Sequence, residues 1–227
     1  SSRFNGGNRG EVNTNATDHV AWQWKANGSG SSNTDGSITS SVSANTTAGF
    51  SIVKYTGTKA NATIGHGLGT APSVIFIKDT SNTESWIVGH SGIGFTKNLY
   101  LNLTNAAATS STIWQDTAPG SSVFTIGTSD GINKSSGVHI AYCFAEVEGY
   151  SKFGSYEGNG NSTGPFIYLG FKPRLVMCKR YDGADGWTVL DTSRGSSTFG
   201  SPAGTGGDNP PAGNFMNVQL NWNTNGA

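Results

Sequence analysis

The sequence predicts an all-β chain of tandem, antiparallel, jelly-roll-like β-sandwich units with little or no helix. Three observations carry this. Short alternating or continuous apolar runs are separated by Gly-, Asn- and Pro-containing stretches, at about the spacing of a sandwich or barrel. The same residues recur at one fixed offset along the chain. The composition is polar but weakly charged: 12% of the 227 residues are Asp, Glu, Lys or Arg, against roughly 25% in an ordinary soluble domain. A chain so poor in charge solvates itself with hydroxyls and amides, which suits turns and outer strand faces.

The repeat defines the organisation. At an offset of 101 positions Tyr55 falls on Tyr156, Gly57 on Gly158, Gly69 on Gly170, Pro72 on Pro173, Lys78 on Lys179 and Trp86 on Trp187. A second match overlays Asn13–Ala26 on Asn133–Glu146, with Asn13, His19 and Ala21 meeting Asn133, His139 and Ala141. Near the other end, Asn223-Thr224-Asn225 echoes Asn13-Thr14-Asn15. These phases divide the chain into three parts. Residues 1–30 are expected to hold the closing strand of a preceding unit plus a linker, 31–149 a complete sandwich unit, and 150–227 a second unit lacking its closing strand. An open strand edge needs a partner, expected from continuing chain, from a neighbour, or from residues 13–26 folding back, with a longer native chain the favoured source.

Within the complete unit the elements follow in order. Gly28–Ser37 is low in complexity and reads as a loop or linker. Ile38–Val42 and Phe50–Tyr55 form a hairpin through Asn45-Thr46-Thr47. Gly69-Thr70-Ala71-Pro72 turns into Ser73–Lys78, whose Val74-Ile75-Phe76-Ile77 is apolar on both faces and reads as a central strand. Trp86–Gly89, Leu99–Leu103, Thr112–Trp114, Val123–Ile126 and Val138–Val147 complete the set, with one helical turn at most in Leu103–Ala108.

The alternation of Val20, Trp22, Trp24 with His19, Ala21, Gln23, and of Ile140, Tyr142, Phe144 with His139, Ala141, Cys143, marks half-buried strands. The bulky side is expected to face the core, leaving His19 and His139 on the polar side. With 6 Trp, 11 Phe and 7 Tyr, a few large side chains suffice to close such a core. Cys178 occupies the position of Ile77 and reads as a small buried hydrophobe, so no bridge to Cys143 is expected. Trp86 and Trp187, kept at one offset, read as packing residues; the rival reading is sugar stacking on an exposed indole.

Chemistry is sparse. The formal net charge is zero, which leaves no electrostatic footprint for nucleic acid or anionic membrane. No apolar run approaches the length of a membrane helix. Gly127-Thr128-Ser129-Asp130-Gly131 has the spelling of a nucleophile elbow but precedes a turn-like segment. Gly89-His90-Ser91-Gly92 lacks an orienting acid. His19, His66, His90 and His139 show no metal-ligand spacing. Glu146, Glu148, Glu157, Asp182, Asp185 and Asp191 read as solvated loop acids rather than a glycosidase pair. The repeated Asn-X-Ser/Thr triplets are expected by chance in this composition. No enzyme, catalytic residue, metal or cofactor is expected.

Ile140–Val147 leads into Gly149-Tyr150-Ser151-Lys152-Phe153-Gly154-Ser155-Tyr156, then Gly164-Pro165-Phe166-Ile167-Tyr168 and Gly170-Phe171-Lys172-Pro173. This run, with Trp22–Gly28 and Gly49–Val53 as the unit junction, resembles a repeat domain of large virion and tail-fibre proteins of marine bacteriophages. The resemblance covers about residues 10–194. It implies an extracellular virion setting, a structural role in a tail fibre, spike or surface decoration that serves host attachment, and partners among other copies or neighbouring virion proteins. It supplies no catalytic or binding residues. A carbohydrate-binding module, taking a host-surface glycan, is the alternative.

Overall fold

The computed structural model describes residues 15–16, 21–161 and 164–191. Of the expected strand segment Asn13–Ala26, residues 13–14 and 17–20, with His19 and Val20, lie outside the described residues, as does the tail from 192 onward. The chain is all-β and antiparallel. In order come β1 (Ser31–Asn33), β2 (Ser40–Asn45), β3 (Phe50–Thr56), β4 (Ala62–Gly65), β5 (Val74–Asp79), β6 (Ile87–His90), β7 (Lys97–Tyr100) and β8 (Ala108–Thr109). A one-turn helix α1 (Ser111–Trp114), β9 (Val123–Ile126), a one-turn helix α2 (Asp130–Asn133), β10 (Val138–Phe144), β11 (Leu175–Lys179) and β12 (Trp187–Asp191) follow.

Eight strands form one sheet in the order β1-β2-β3-β10-β5-β6-β7-β8. The late strand β10 inserts between β3 and β5, with Tyr142 opposite both Ile52 and Phe76. The apolar run of β5 is therefore central. Over one face lies a second layer, the β4–β9 pair with α1 and α2. Val53, Tyr55, Ile75, Ile77, Ala141 and Cys143 of the large sheet meet Ile64, Phe124, Ile126, Ile113, Trp114 and Ile132 of that layer. At β6 the layers approach so closely that a Cβ on Gly89 would sit 2.6 Å from the Phe95 ring and 2.8 Å from the Trp114 indole. Only glycine fits between them.

The core lies on the opposite face of β10 from the one its bulk predicts. His139, Ala141 and Cys143 are fully buried, whereas Ile140, Tyr142 and Phe144 are half-buried on the outer side. Small residues suit the inner face because Tyr55, Phe124 and Trp114 already fill the space there. Trp22 and Trp24, also expected inside, are 37% and 45% exposed, and the described residues 21–27 form no strand.

Two further elements differ from expectation. Thr112–Trp114 is helical rather than extended. A helical turn lets the consecutive Ile113 and Trp114 both point inward, which a strand's alternation forbids. Within the expected linker Gly28–Ser37, Ser31–Asn33 pairs with β2 as an edge strand. Leu103–Ala108, allowed one helical turn at most, carries none and ends in β8.

The β5–β6 hairpin has a counterpart. β5 pairs Val74 with His90, Ile75 with Gly89, Phe76 with Val88 and Ile77 with Ile87. β11–β12 pairs Leu175 with Asp191, Val176 with Leu190, Met177 with Val189 and Cys178 with Thr188. Every partnership is conserved at the 101-residue offset. So is the entrance: Gly69 and Gly170 take φ of 73° and 80°, conformations that favour glycine. The surroundings differ. Tyr55 is buried and donates to Ile132 O at 2.7 Å, while Tyr156 is 54% exposed. Pro72 is buried and Pro173 half-buried. Tyr55 is enclosed because β10 and the second layer lie against it; among the described residues, β11 pairs with β12 alone.

Candidate interaction surface

Alternation places a continuous aromatic surface on the outer face of the large sheet. Phe144 is its hub, with ring centroids 4.9 Å from Phe50, 5.6 Å from Phe76, 5.9 Å from Trp24 and 6.2 Å from Phe153. Beside it Tyr142 stacks on Trp86 at 6.1 Å. Such contacts add about 0.5–1.5 kcal/mol each beyond area burial. Phe50 is buried, and the other rings of this face remain partly in solvent.

Over one part of this face sits the β11–β12 hairpin. Trp187 joins Val88, Leu99 and Leu101 in a second buried cluster, flanked by Phe76, Trp86 and Met177. Its indole Nε1 donates to Tyr100 O at 2.8 Å. Backbone bonds from Ala107 N to Tyr181 O and from Asp185 N to Thr104 O, both 2.8 Å, tie the hairpin's tip to the β7–β8 connection. Trp86 and Trp187 therefore pack, as their shared offset predicts. Among the described residues the exposed indoles are instead Trp22 and Trp24. A shallow cleft of about 180 Å³ is lined by Asn27, Ser29, Ser31, Ser32, Asn33 and Ser43, with Val42, Ala44 and Gly67. A large exposed apolar run, Phe166 at 90% and Tyr168 at 80%, leads toward β11.

The sequence's reactive-looking residues are absorbed by structure. His90 Nδ1 accepts from Gly92 N at 2.9 Å and caps the 3₁₀ turn Ser91–Ile93. His66, wholly buried, accepts from Leu68 N through Nδ1 and faces Gly120 O through Nε2. His139 lies inside the core, not on the polar side. It stacks on Tyr55 at 5.2 Å, and its Nδ1 and Nε2 face Gly137 O at 3.1 Å and Asp130 O at 3.4 Å. Asp79 is 3.8 Å from Nε2. Burial lowers the pKa of all three histidines; for His139 the Asp79 charge opposes it. Burial raises Tyr55 well above the phenol range and pushes the Cys143 thiol up to about 12.

Ser129 precedes a single turn of helix, α2, where the sequence reads as a plain turn. That turn serves to bury Asn133, which accepts from Thr58 N at 2.7 Å and donates to Ala60 O and Gly127 O. Among the acids, Glu146 binds Lys152 and Phe153 N, and Asp182 binds Arg180. Glu148, Glu157 and Asp185 are exposed, whereas Asp191 is half-buried at the end of β12 rather than in a loop. Cys143 and Cys178 are free thiols. Among the described residues no group of three or more His, Cys, Asp or Glu side chains is placed to hold a metal ion, and no helix is long and apolar enough to cross a membrane.

Sequence reasoning missed the buried polar group of Asp79, His66, Asn98 and Asn133. For Asp79 a signal existed. It is in phase with Ile75 and Ile77, and it precedes Thr80-Ser81-Asn82, whose backbone its carboxylate caps at Ser81 N and Asn82 N.

These features define an antiparallel β-sandwich domain with an apolar core that encloses a few polar side chains, and an aromatic outer face partly covered by a hairpin. The chain belongs to a family described as a domain of unknown function, DUF7483, whose model matches residues 2–220. No curated protein and no solved structure matches the chain.

Proposed function

We propose that this chain is a non-enzymatic structural module of a bacteriophage virion, part of a tail fibre, spike or surface decoration that serves host attachment. One observation carries the reading. A hairpin of the same register recurs at a fixed offset, and the second copy lies on the aromatic face of the first. Modules that repeat at a constant interval and stack on their neighbours build extended objects. The weakly charged surface, solvated by hydroxyls and amides, suits an exposed particle component. The resemblance of residues 10–194 to virion repeat domains supplies the setting. The test is immunogold labelling with antibody against residues 31–144. Label on intact particles is expected; label confined to the interior of the host cell overturns the reading.

A second reading, a carbohydrate-binding module, is favoured by the half-exposed Trp22 and Trp24 and by the Asn- and Ser-lined cleft, whose lining starts three residues along the chain at Asn27. Sugars stack on indole faces and bond to amides and hydroxyls. Screening on bacterial surface polysaccharides tests it. Binding lost in Trp24→Ala, with an unchanged melting temperature, supports that reading; no binding to any polysaccharide removes it.

A further inference from the structure

In the large sheet, β5 has two neighbours: β6 on one edge and β10 on the other. β11 reproduces β5 residue for residue in its pairing with β12, yet among the described residues its second edge has no strand. That edge carries the pattern that receives β10 in the first hairpin. The segment Ala21–Trp24 is the stretch of this chain whose sequence overlays β10, with Ala21 on Ala141 and the two indoles on Tyr142 and Phe144. We propose that β11 accepts Ala21–Trp24 of a second copy of this chain as an added antiparallel strand. The register is that of β10 on β5: Ala21 opposite Cys178, Trp22 opposite Met177, Gln23 opposite Val176 and Trp24 opposite Leu175. This inference deepens the structural-module reading and rests on it.

Three observations support the assignment. Residues 21–27 belong to no strand of their own copy, although they have a strand's alternation. Tyr156, whose counterpart Tyr55 sits buried against β10, is instead 54% exposed, next to Cys178 of β11. The segment is also tethered away from its own β11. Asn45 donates to Lys25 O and Asn27 N donates to Ser43 Oγ, which fixes residues 25–27 to β2. Four extended residues reach roughly 13 Å, while the three strand spacings from β2 to β5 come to roughly 14 Å before the step up to the hairpin. A strand in this register joins copies end to end, with backbone bonds providing affinity and alternate side chains providing specificity.

Directly opposed residues of an antiparallel pair have Cα atoms about 4.5–5.5 Å apart, within disulfide range. The test is Ala21→Cys in the full chain, whose native Cys178 is the intended partner, under oxidised glutathione. Non-reducing gels are expected to show a ladder of linked copies that Cys178→Ser abolishes. Trp22→Cys, one residue out of register and facing the other side, is expected to stay monomeric. Three results would overturn the proposal: no ladder from Ala21→Cys, equal ladders from both variants, or a fast-migrating monomer linked within one chain. None of them bears on particle labelling, so this proposal and the functional reading fail separately.

Discussion

The β5–β6 and β11–β12 hairpins share a register and differ in almost everything around them. β5 lies between two strands and beneath a second layer, so Ile75 and Ile77 are completely buried. Among the described residues β11 has one strand beside it, and all five of its residues are only partly buried. Local sequence sets the backbone pairing in both. Neighbours decide how much each side chain is worth.

Equivalent truncations should therefore have unequal costs. Ile77→Ala is expected to destabilise the sandwich by about 2–5 kcal/mol, since it opens a cavity in a close-packed core. In urea melts the same change at its counterpart, Cys178→Ala, should cost less than about 1 kcal/mol. Equal losses would mean that the second hairpin sits in a core as complete as the first. Trp187→Ala should release β11–β12 while leaving the sandwich folded, because its indole is the hairpin's main buried anchor. Hydrogen exchange is the appropriate measurement, with protection lost at 175–191 and kept at 138–144. Tyr142→Ala removes a half-buried ring and should cost about 1–3 kcal/mol, below the figure for a fully buried aromatic.

The smallest effect concerns pH. His66, His90 and His139 have pKa values lowered by burial, so the unfolded chain binds more protons than the folded one just below the ordinary histidine range. Stability from these groups is complete above about pH 6.5 and is lost as pH falls through that value toward the folded pKa. The melting temperature should therefore drop between pH 7 and pH 5, less so in His139→Gln. A flat profile would mean that these rings titrate as freely as in the unfolded chain.

Much of the first hairpin was legible in the sequence. Val74–Ile77, apolar on both faces, could only be a strand covered on both sides, and Val123–Ile126 was bounded clearly by turns. The orientation of β10 was not legible, because both its faces are covered to some degree. In such a strand the larger residues need not point to the tighter side. Helix α1 was hidden by β-branched residues whose burial needs outvoted their propensity. β4 was missed because Ala62-Thr63-Ile64-Gly65 is short and carries one large apolar residue. The interaction surface was half visible: the alternation at Trp22 and Trp24 was read as a half-buried strand facing the core, whereas these indoles are half-exposed and the described residues 21–27 form no strand.

Gly89 has one more implication. Its counterpart at the 101-residue offset is Leu190, so where the first hairpin leaves room for the Phe95 and Trp114 rings, the second already fills that volume. The two hairpins share a backbone plan but are not interchangeable parts: a chimaera carrying the β12 sequence in place of β6 would drive an isobutyl group into the indole. Any layer that covers β12 in the way α1 covers β6 must have a shallower relief at that point.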